Sequence, residues 1–218
     1  MSRNEVIVAV ILVLFFAVSG YYYPQLPENI ASHWNAAGQA DGYMPKFWGL
    51  FFLPVLSLVI GTVLLILPRT AVLKTKIADF RKYYYGFLII FLCFLLYIHV
   101  LTILWNIGIG TGINRFLAPA IGILFYIIGM MMSDVKMNRF FGIRTPWTLG
   151  SETVWKKTHS LGGKLFKLAG VVCFIGVFVP DYAIVLIIAP AFLVTVITVL
   201  YSWLEYRKET ANREDPGI

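Results

Sequence analysis

The stretch Tyr84–Trp105, YYGFLIIFLCFLLYIHVLTILW, decides the fold. It holds no Asp, Glu, Lys or Arg. As a helix rising about 1.5 Å per residue it is long enough to cross roughly 30 Å of hydrocarbon. Further blocks of this kind lie on either side of it: Glu5–Tyr22, Phe47–Leu67, Phe116–Ser133, Lys164–Val179 and Tyr182–Leu204. Lys164–Val179 is short and is expected to continue a helix that begins upstream. The blocks are uniformly apolar, without the in/out alternation of an outer-membrane barrel strand. The expected fold class is therefore an all-α integral membrane protein with six transmembrane helices.

Composition agrees. Of 218 residues, 59% are apolar and 13% charged, with a mean hydropathy of +0.79. A soluble domain carries about a quarter charged residues, so too little polar surface is present to wet a globule. The net charge of +7 is explained by orientation. With six blocks, all of the 18 Lys and Arg except Lys46 and Arg115 fall on the side of the N-terminus. Basic residues collect on the cytoplasmic side, so both termini are expected there, in the cell membrane. An odd number of spans would break the asymmetry. No soluble module remains to bind nucleic acid. Tyr21–Tyr23, Phe47-Trp48, Tyr83–Tyr85, Trp105 and Trp203 stand at block ends, where amphipathic rings favour the headgroup layer.

Glu5–Tyr22 is longer than the apolar stretch of a signal peptide and has no small-x-small site beside it, so it reads as a retained helix. Cys93 and Cys173 lie inside apolar blocks and form neither a CxxC pair nor a disulfide framework. The expected organisation is a two-helix hairpin over residues 1–70 with an external loop at 24–46. A four-helix region follows over 84–206 with a cytoplasmic loop at 134–163, then a charged, frayed tail at 205–218.

Both long loops carry candidate residues. In the external loop, Pro27 is expected to open a short helix, and Gly38 and Asp41-Gly42 to make turns. His33, Trp34, Asn35, Asp41 and Tyr43 are its candidate ligand-facing residues; the alternative is an interfacial hairpin with Trp34 and Tyr43 as headgroup anchors. One His with Asp41 is a poor metal site, since zinc needs at least three protein ligands, and no metal or cofactor is expected. In the cytoplasmic loop, Ser151 suits an N-cap and Glu152 the positive end of a helix. Val154, Trp155, Thr158, Leu161 and Leu165 then follow helical spacing, with Lys156, Lys157 and Ser160 opposite: an amphipathic interfacial helix feeding the fifth span, kinked at Gly162-Gly163. Arg144, among Phe140, Phe141, Ile143, Pro146 and Trp147, is a candidate for gripping a carboxylate or a phosphate, on a partner protein or on membrane lipids.

None of HExxH, GxSxG, GxxxxGK or GxGxxG occurs. A non-enzyme is expected, against the alternative of a membrane enzyme using His33, Asp41 or His159. His99 lies within a span with no acidic residue in any span to pair with, and is expected to bond a backbone carbonyl.

The run Gly142-Ile-Arg144-Thr145-Pro146-Trp147-Thr148-Leu-Gly-Ser-Glu152-Thr-Val-Trp155-Lys resembles the signature of the SdpI family of bacterial immunity proteins. The segment Leu26–Asn35 with Asp41-Gly42-Tyr43 resembles a domain of uncharacterised function that often precedes it. The resemblance implies immunity to a secreted, membrane-active peptide toxin. It also implies toxin sensing, in which a soluble transcriptional repressor is held at the membrane. On this basis Gly142, Arg144, Thr145, Pro146, Trp147, Thr148, Glu152 and Trp155 form the cytoplasmic signature, and the external loop meets the toxin. The alternative is a small transporter or flippase for an amphipathic peptide or lipid.

Overall fold

The computed structural model describes residues 2–70, 81–109 and 112–214; Lys74 and Lys76 of the charge asymmetry, and the tail beyond 214, lie outside them. In chain order come α1 (Arg3–Tyr22), β1 (Asn29–Trp34), β2 (Ala40–Pro45), α2 (Lys46–Ile66), α3 (Arg81–Asn106), α4 (Ile113–Met132), α5 (Pro146–Gly150), α6 (Glu152–Ile175) and α7 (Ala183–Glu214). Ser2 and Glu5 start α1 with a capping box: Ser2 N–H donates to the Glu5 carboxylate at 3.0 Å and Glu5 N–H to Ser2 Oγ at 3.4 Å. Among the described residues, α1, α2, α3, α4 and α7 are long and apolar enough to cross a membrane. The protein is a helical, multi-pass membrane protein. The block Lys164–Val179 falls largely in the second half of α6, whose first half carries Glu152, Lys156 and Lys157.

The chain forms two compact units. The first comprises residues 1–120 and 176–184. Val8, Ile11, Leu12 and Phe15 of α1 pack with Leu88 and Leu92 of α3 in one core cluster. Gly61 of α2 lets Leu12 approach, since a Cβ there would stand 3.2 Å from a Leu12 methyl. A second cluster, Leu26, Ile30, Leu50 and Ile103, seats the strands on α2 and α3. So α3 belongs by packing with α1 and α2, whereas the sequence reading grouped it with the region 84–206.

The helix expected at Pro27 is absent. A 3₁₀ turn, Tyr23–Gln25, precedes it, and the chain then enters the antiparallel pair β1–β2. The all-α expectation thus omits a small sheet. Asn29 pairs with Pro45, Ile30 with Met44 and Ala31 with Tyr43; the register then slips, so that His33 faces Gly42 and Trp34 faces Ala40. Gly38 does turn the chain, at φ +76°. Asp41-Gly42, expected as a turn, lies inside β2. Glycine is required there because a Cβ would meet the His33 Cβ at 2.9 Å.

The second unit comprises residues 121–175 and 185–218. Within it α4 and α6 touch backbone to backbone. A Cβ on Gly122 would stand 2.6 Å from the Gly170 carbonyl oxygen, and one on Gly129 would stand 2.7 Å from that of Gly163. Small residues that admit such approach are the usual means of joining helices in lipid, where apolar burial gives no driving force. Gly162 and Gly163 therefore serve close packing, and the expected kink is replaced by an unbroken helix. The frayed tail is also corrected. α7 runs to Glu214, and Glu205 is only 7% exposed, held by Lys157 at 2.6 Å and Lys208 at 3.0 Å.

Gly129→Leu and Gly163→Leu must push α4 and α6 apart. Each is expected to lower stability by about 1–3 kcal/mol or more, measured by denaturant unfolding in detergent. Gly20→Leu, where nothing lies within 4 Å, is the matched control and should be nearly neutral.

Candidate functional site

The first candidate region is the face made by β1 and β2. Asn35 shapes its turn: the Asn35 side-chain oxygen accepts from Ala37 N–H and Gln39 N–H, both at 3.0 Å. This is the local hydrogen bonding that suits Asn to turns. The candidate ligand residue Asn35 is thus committed to the turn. His33 Nδ1 meets Asp41 Oδ1 at 2.5 Å across the strands, both side chains well exposed. Tyr43 is 61% exposed. Trp34 sits edge-on to Trp105 of α3, ring centroids 5.6 Å apart. Two asparagines tie the strands to the helices. Asn106 Oδ1 accepts from Ala31 N–H at 2.7 Å while its Nδ2 donates to Ala31 O at 3.0 Å; Asn114 Nδ2 donates to Ala36 O at 2.7 Å.

Under this face lies a cavity of about 440 Å³, lined among others by Trp34, Phe52, His99, Thr102, Asn114 and Leu117. His99 is 1% exposed and its Nε2 meets Ser19 Oγ of α1 at 2.8 Å. The expected backbone carbonyl partner is replaced by a side chain. The sequence reading missed Asn106, Asn114 and Ser19. A polar residue at or inside a span end, as Asn106 follows Trp105, is the signal that could have found them.

The second region is the signature run. Thr145 caps α5, with Pro146 in its first turn: Thr148 N–H donates to Thr145 Oγ1 at 3.1 Å and Thr145 N–H to Thr148 Oγ1 at 2.9 Å. The Thr148 hydroxyl donates to Ile143 O at 2.8 Å, closing the loop on itself. Thr145 Oγ1 also lies 3.1 Å from Ser202 Oγ of α7. Trp155 is fully buried and its indole N–H donates to Val135 O at 2.8 Å. His159 stacks on Trp155 with centroids 3.9 Å apart. Its Nε2 accepts from Ile143 N–H at 2.9 Å, so Nδ1 carries the proton and donates to Trp155 O at 2.8 Å. Gly142 adopts φ +110°, and a Cβ there would run into the His159 ring. Ser151 accepts from Val154 N–H at 3.2 Å and bonds the Glu209 carboxylate.

The signature residues thus come together, with Thr145, Thr148 and Trp155 buried and Arg144, Pro146 and Glu152 exposed. Arg144 departs from the expectation of an apolar setting: it is exposed, and its guanidinium donates to Arg139 O at 2.9 Å. Among the described residues it has no ion pair. Glu152 is exposed and lies 3.9 Å from Lys156. Trp147 is half-buried. His159, Ser202 and the Lys157–Glu205 pair were missed as parts of this assembly. The helical spacing of His159 from Trp155 was the available signal.

Two measurements follow from these contacts. Asn106→Leu strips the buried Ala31 amide of its acceptor, at a cost of about 1–3 kcal/mol, and amide exchange across β1 should accelerate. Burial holds the His159 imidazole below its ordinary value of 6.5, although the bond to Trp155 O opposes this. The folded state then binds fewer protons than the unfolded chain, so stability is present above pH 6.5 and lost as pH falls below it toward the lowered value. The thermal midpoint of the wild type should drop over that window relative to its value at neutral pH, and His159→Gln should lack that component.

Comparison with known proteins places these two regions in families. Residues 134–202 match the model described as the SdpI/YfhL protein family, and residues 10–58 match a domain of unknown function, DUF1648. The immunity protein SdpI of Bacillus subtilis (strain 168) is 27% identical over 212 residues, spanning 97% of this chain and all of that protein. No solved structure matches. The first match contains the capped loop, α6 and most of α7, and the second contains most of α1, the strands and the first half of α2. This membrane protein thus resembles the SdpI/YfhL family through residues 134–202, with a match to the DUF1648 domain before them.

Proposed function

We propose that the protein is an immunity protein of the cell membrane, protecting its cell from a secreted, membrane-active peptide, and that it acts by binding and not by catalysis. The observation that carries this is similarity along the full length of a protein named for immunity, both loop regions included. In this reading α6 supplies a sixth span and both termini are cytoplasmic, which the distribution of Lys and Arg supports. The β1–β2 face is then external and meets the peptide through His33, Trp34, Asp41 and Tyr43. The capped loop is cytoplasmic. It senses the peptide-bound state and offers a soluble transcriptional repressor the exposed groups of the signature, Arg144 and Glu152. The inward residues Thr145, Thr148 and Trp155 hold that surface in one shape, and basic residues beside it bind anionic lipid.

A Gram-positive strain without an immunity protein of its own, expressing this chain and challenged with the family's killing peptide, tests the reading. The wild type should raise the killing concentration at least ten-fold. His33→Ala/Tyr43→Ala should forfeit most of that gain at equal membrane levels. Arg144→Ala should still protect but no longer recruit a soluble regulator to membranes on peptide addition. A wild type present in the membrane that gives no protection removes the immunity reading. Equal recruitment by Arg144→Ala removes the role given to that residue.

A further inference from the structure

The wall of the cavity beneath the strands carries polar atoms that no hydrogen bond among the described residues satisfies. The Ser19 hydroxyl owns one hydrogen and donates it to Phe15 O, four residues back in α1, at 2.8 Å. The oxygen that meets His99 Nε2 at 2.8 Å is therefore an acceptor, and the imidazole proton sits on Nε2. That leaves Nδ1 as a lone-pair acceptor, and among the described residues no hydrogen bond reaches it. The Trp34 indole N–H, on another lining residue, is buried and has no acceptor among the described residues. Other polar groups of the wall are engaged: the Thr102 hydroxyl donates to Ile98 O at 3.0 Å, the Asn114 amide nitrogen to Ala36 O and the Ser32 hydroxyl to Gly42 O at 3.4 Å, while His33 Nδ1 meets Asp41. Apolar side chains, Phe52, Leu53, Ile98 and Leu117 among them, make up much of the rest. Among the described residues no Lys, Arg, Asp or Glu lines the cavity.

We propose that this cavity is a binding site for one apolar residue of a peptide together with its backbone amide. The amide N–H donates to His99 Nδ1, the carbonyl accepts from Trp34 Nε1–H, and the apolar side chain fills the space between Phe52 and Leu117. A volume near 440 Å³ suits one such residue with its flanking peptide groups. An unpaired acceptor and an unpaired donor in a wall that the described residues leave without Lys, Arg, Asp or Glu match a neutral amide, which carries both. They do not match a lipid phosphate, which offers acceptors only and calls for cationic partners. Ser19 is a positioning residue: by accepting from Nε2 it leaves Nδ1 as the acceptor of His99. The assignment rests on the reading that the β1–β2 face meets a peptide, and it names the part of the peptide that is read.

The test uses the full chain in nanodiscs, labelled with 15N-histidine, and three probes. These are N-acetyl-leucyl-leucine methylamide, its depsipeptide analogue in which one N–H is replaced by oxygen, and octyl phosphate. The amide should bind and shift the His99 Nδ1 resonance. The depsipeptide, lacking the donor, should bind roughly ten-fold more weakly. Trp34→Phe, which keeps the ring but removes its N–H, should weaken the amide by a similar factor. Octyl phosphate should neither shift Nδ1 nor displace the amide. Equal affinity for amide and depsipeptide, an unmoved Nδ1 resonance, or displacement by octyl phosphate overturns the proposal. Changing the ligand leaves the protein intact, so the result does not depend on a buried His99 variant folding. The killing assay separates the two ideas: amide binding without protection supports the cavity and sinks immunity, whereas protection without amide binding sinks the cavity and spares immunity.

Discussion

In hydrocarbon a backbone N–H or C=O without a partner costs several kcal/mol, so every polar group of the main chain must be satisfied by the chain itself. The rest of this structure depends on that constraint. The apolar blocks answer it by becoming helices. In the two informative loops, strand pairing and side chains satisfy several of the backbone groups that leave helical geometry. The strands pair with each other, and Asn106 supplies both a donor and an acceptor to Ala31. The signature loop closes through Thr145, Thr148 and His159, which between them hold the N–H groups of Ile143, Thr145 and Thr148 and the carbonyl of Ile143. Side chains that look like recognition groups in sequence are in several cases the ones that satisfy the main chain.

This separates the signature into two kinds of residue. Gly142, Thr145, Thr148 and Trp155 build the loop: the glycine clears space for the His159 ring, the threonines cap α5, and the tryptophan anchors the run to Val135. Arg144 and Glu152 stand outside. Any recognition surface gains from both kinds, because a rigid base lowers the entropy lost when exposed groups are fixed by binding. The same division holds on the other loop. Asn35 makes the turn, Gly42 makes room for His33, and His33, Asp41 and Tyr43 are displayed.

The helical class, the positions of most apolar blocks and the identity of the two informative loops were legible in the sequence, because they follow from length and local composition. The 15-residue run from Gly142 to Lys156 was legible as a signature, because its residue types are unusual together. Other expectations failed for physical reasons. Pro27 permits a helix start but does not compel one, and strand pairing with residues 40–45 won. Charge in the segment 205–214 suggested fraying, but Glu205 is satisfied by Lys157 from another helix. Gly162-Gly163 suggested flexibility, but glycine in a helix also permits contact, and neighbouring backbone occupies the space.

What the sequence by itself determined is the solvent each segment prefers: which blocks belong in lipid, which loops belong in water, and on which side basic residues collect. Those are sums over neighbouring residues. Only the tertiary structure decided which distant residues meet. Ser19 and His99 are 80 positions apart, and their hydrogen bond sets which imidazole nitrogen is left to accept. Asn106 and Ala31 are 75 apart, and their bonds seat the strands. The backbone contact of Gly129 with Gly163 sets how closely α4 and α6 pack. Pairing of this kind depends on the three-dimensional path that closes each loop, and no property of either partner's local sequence records it.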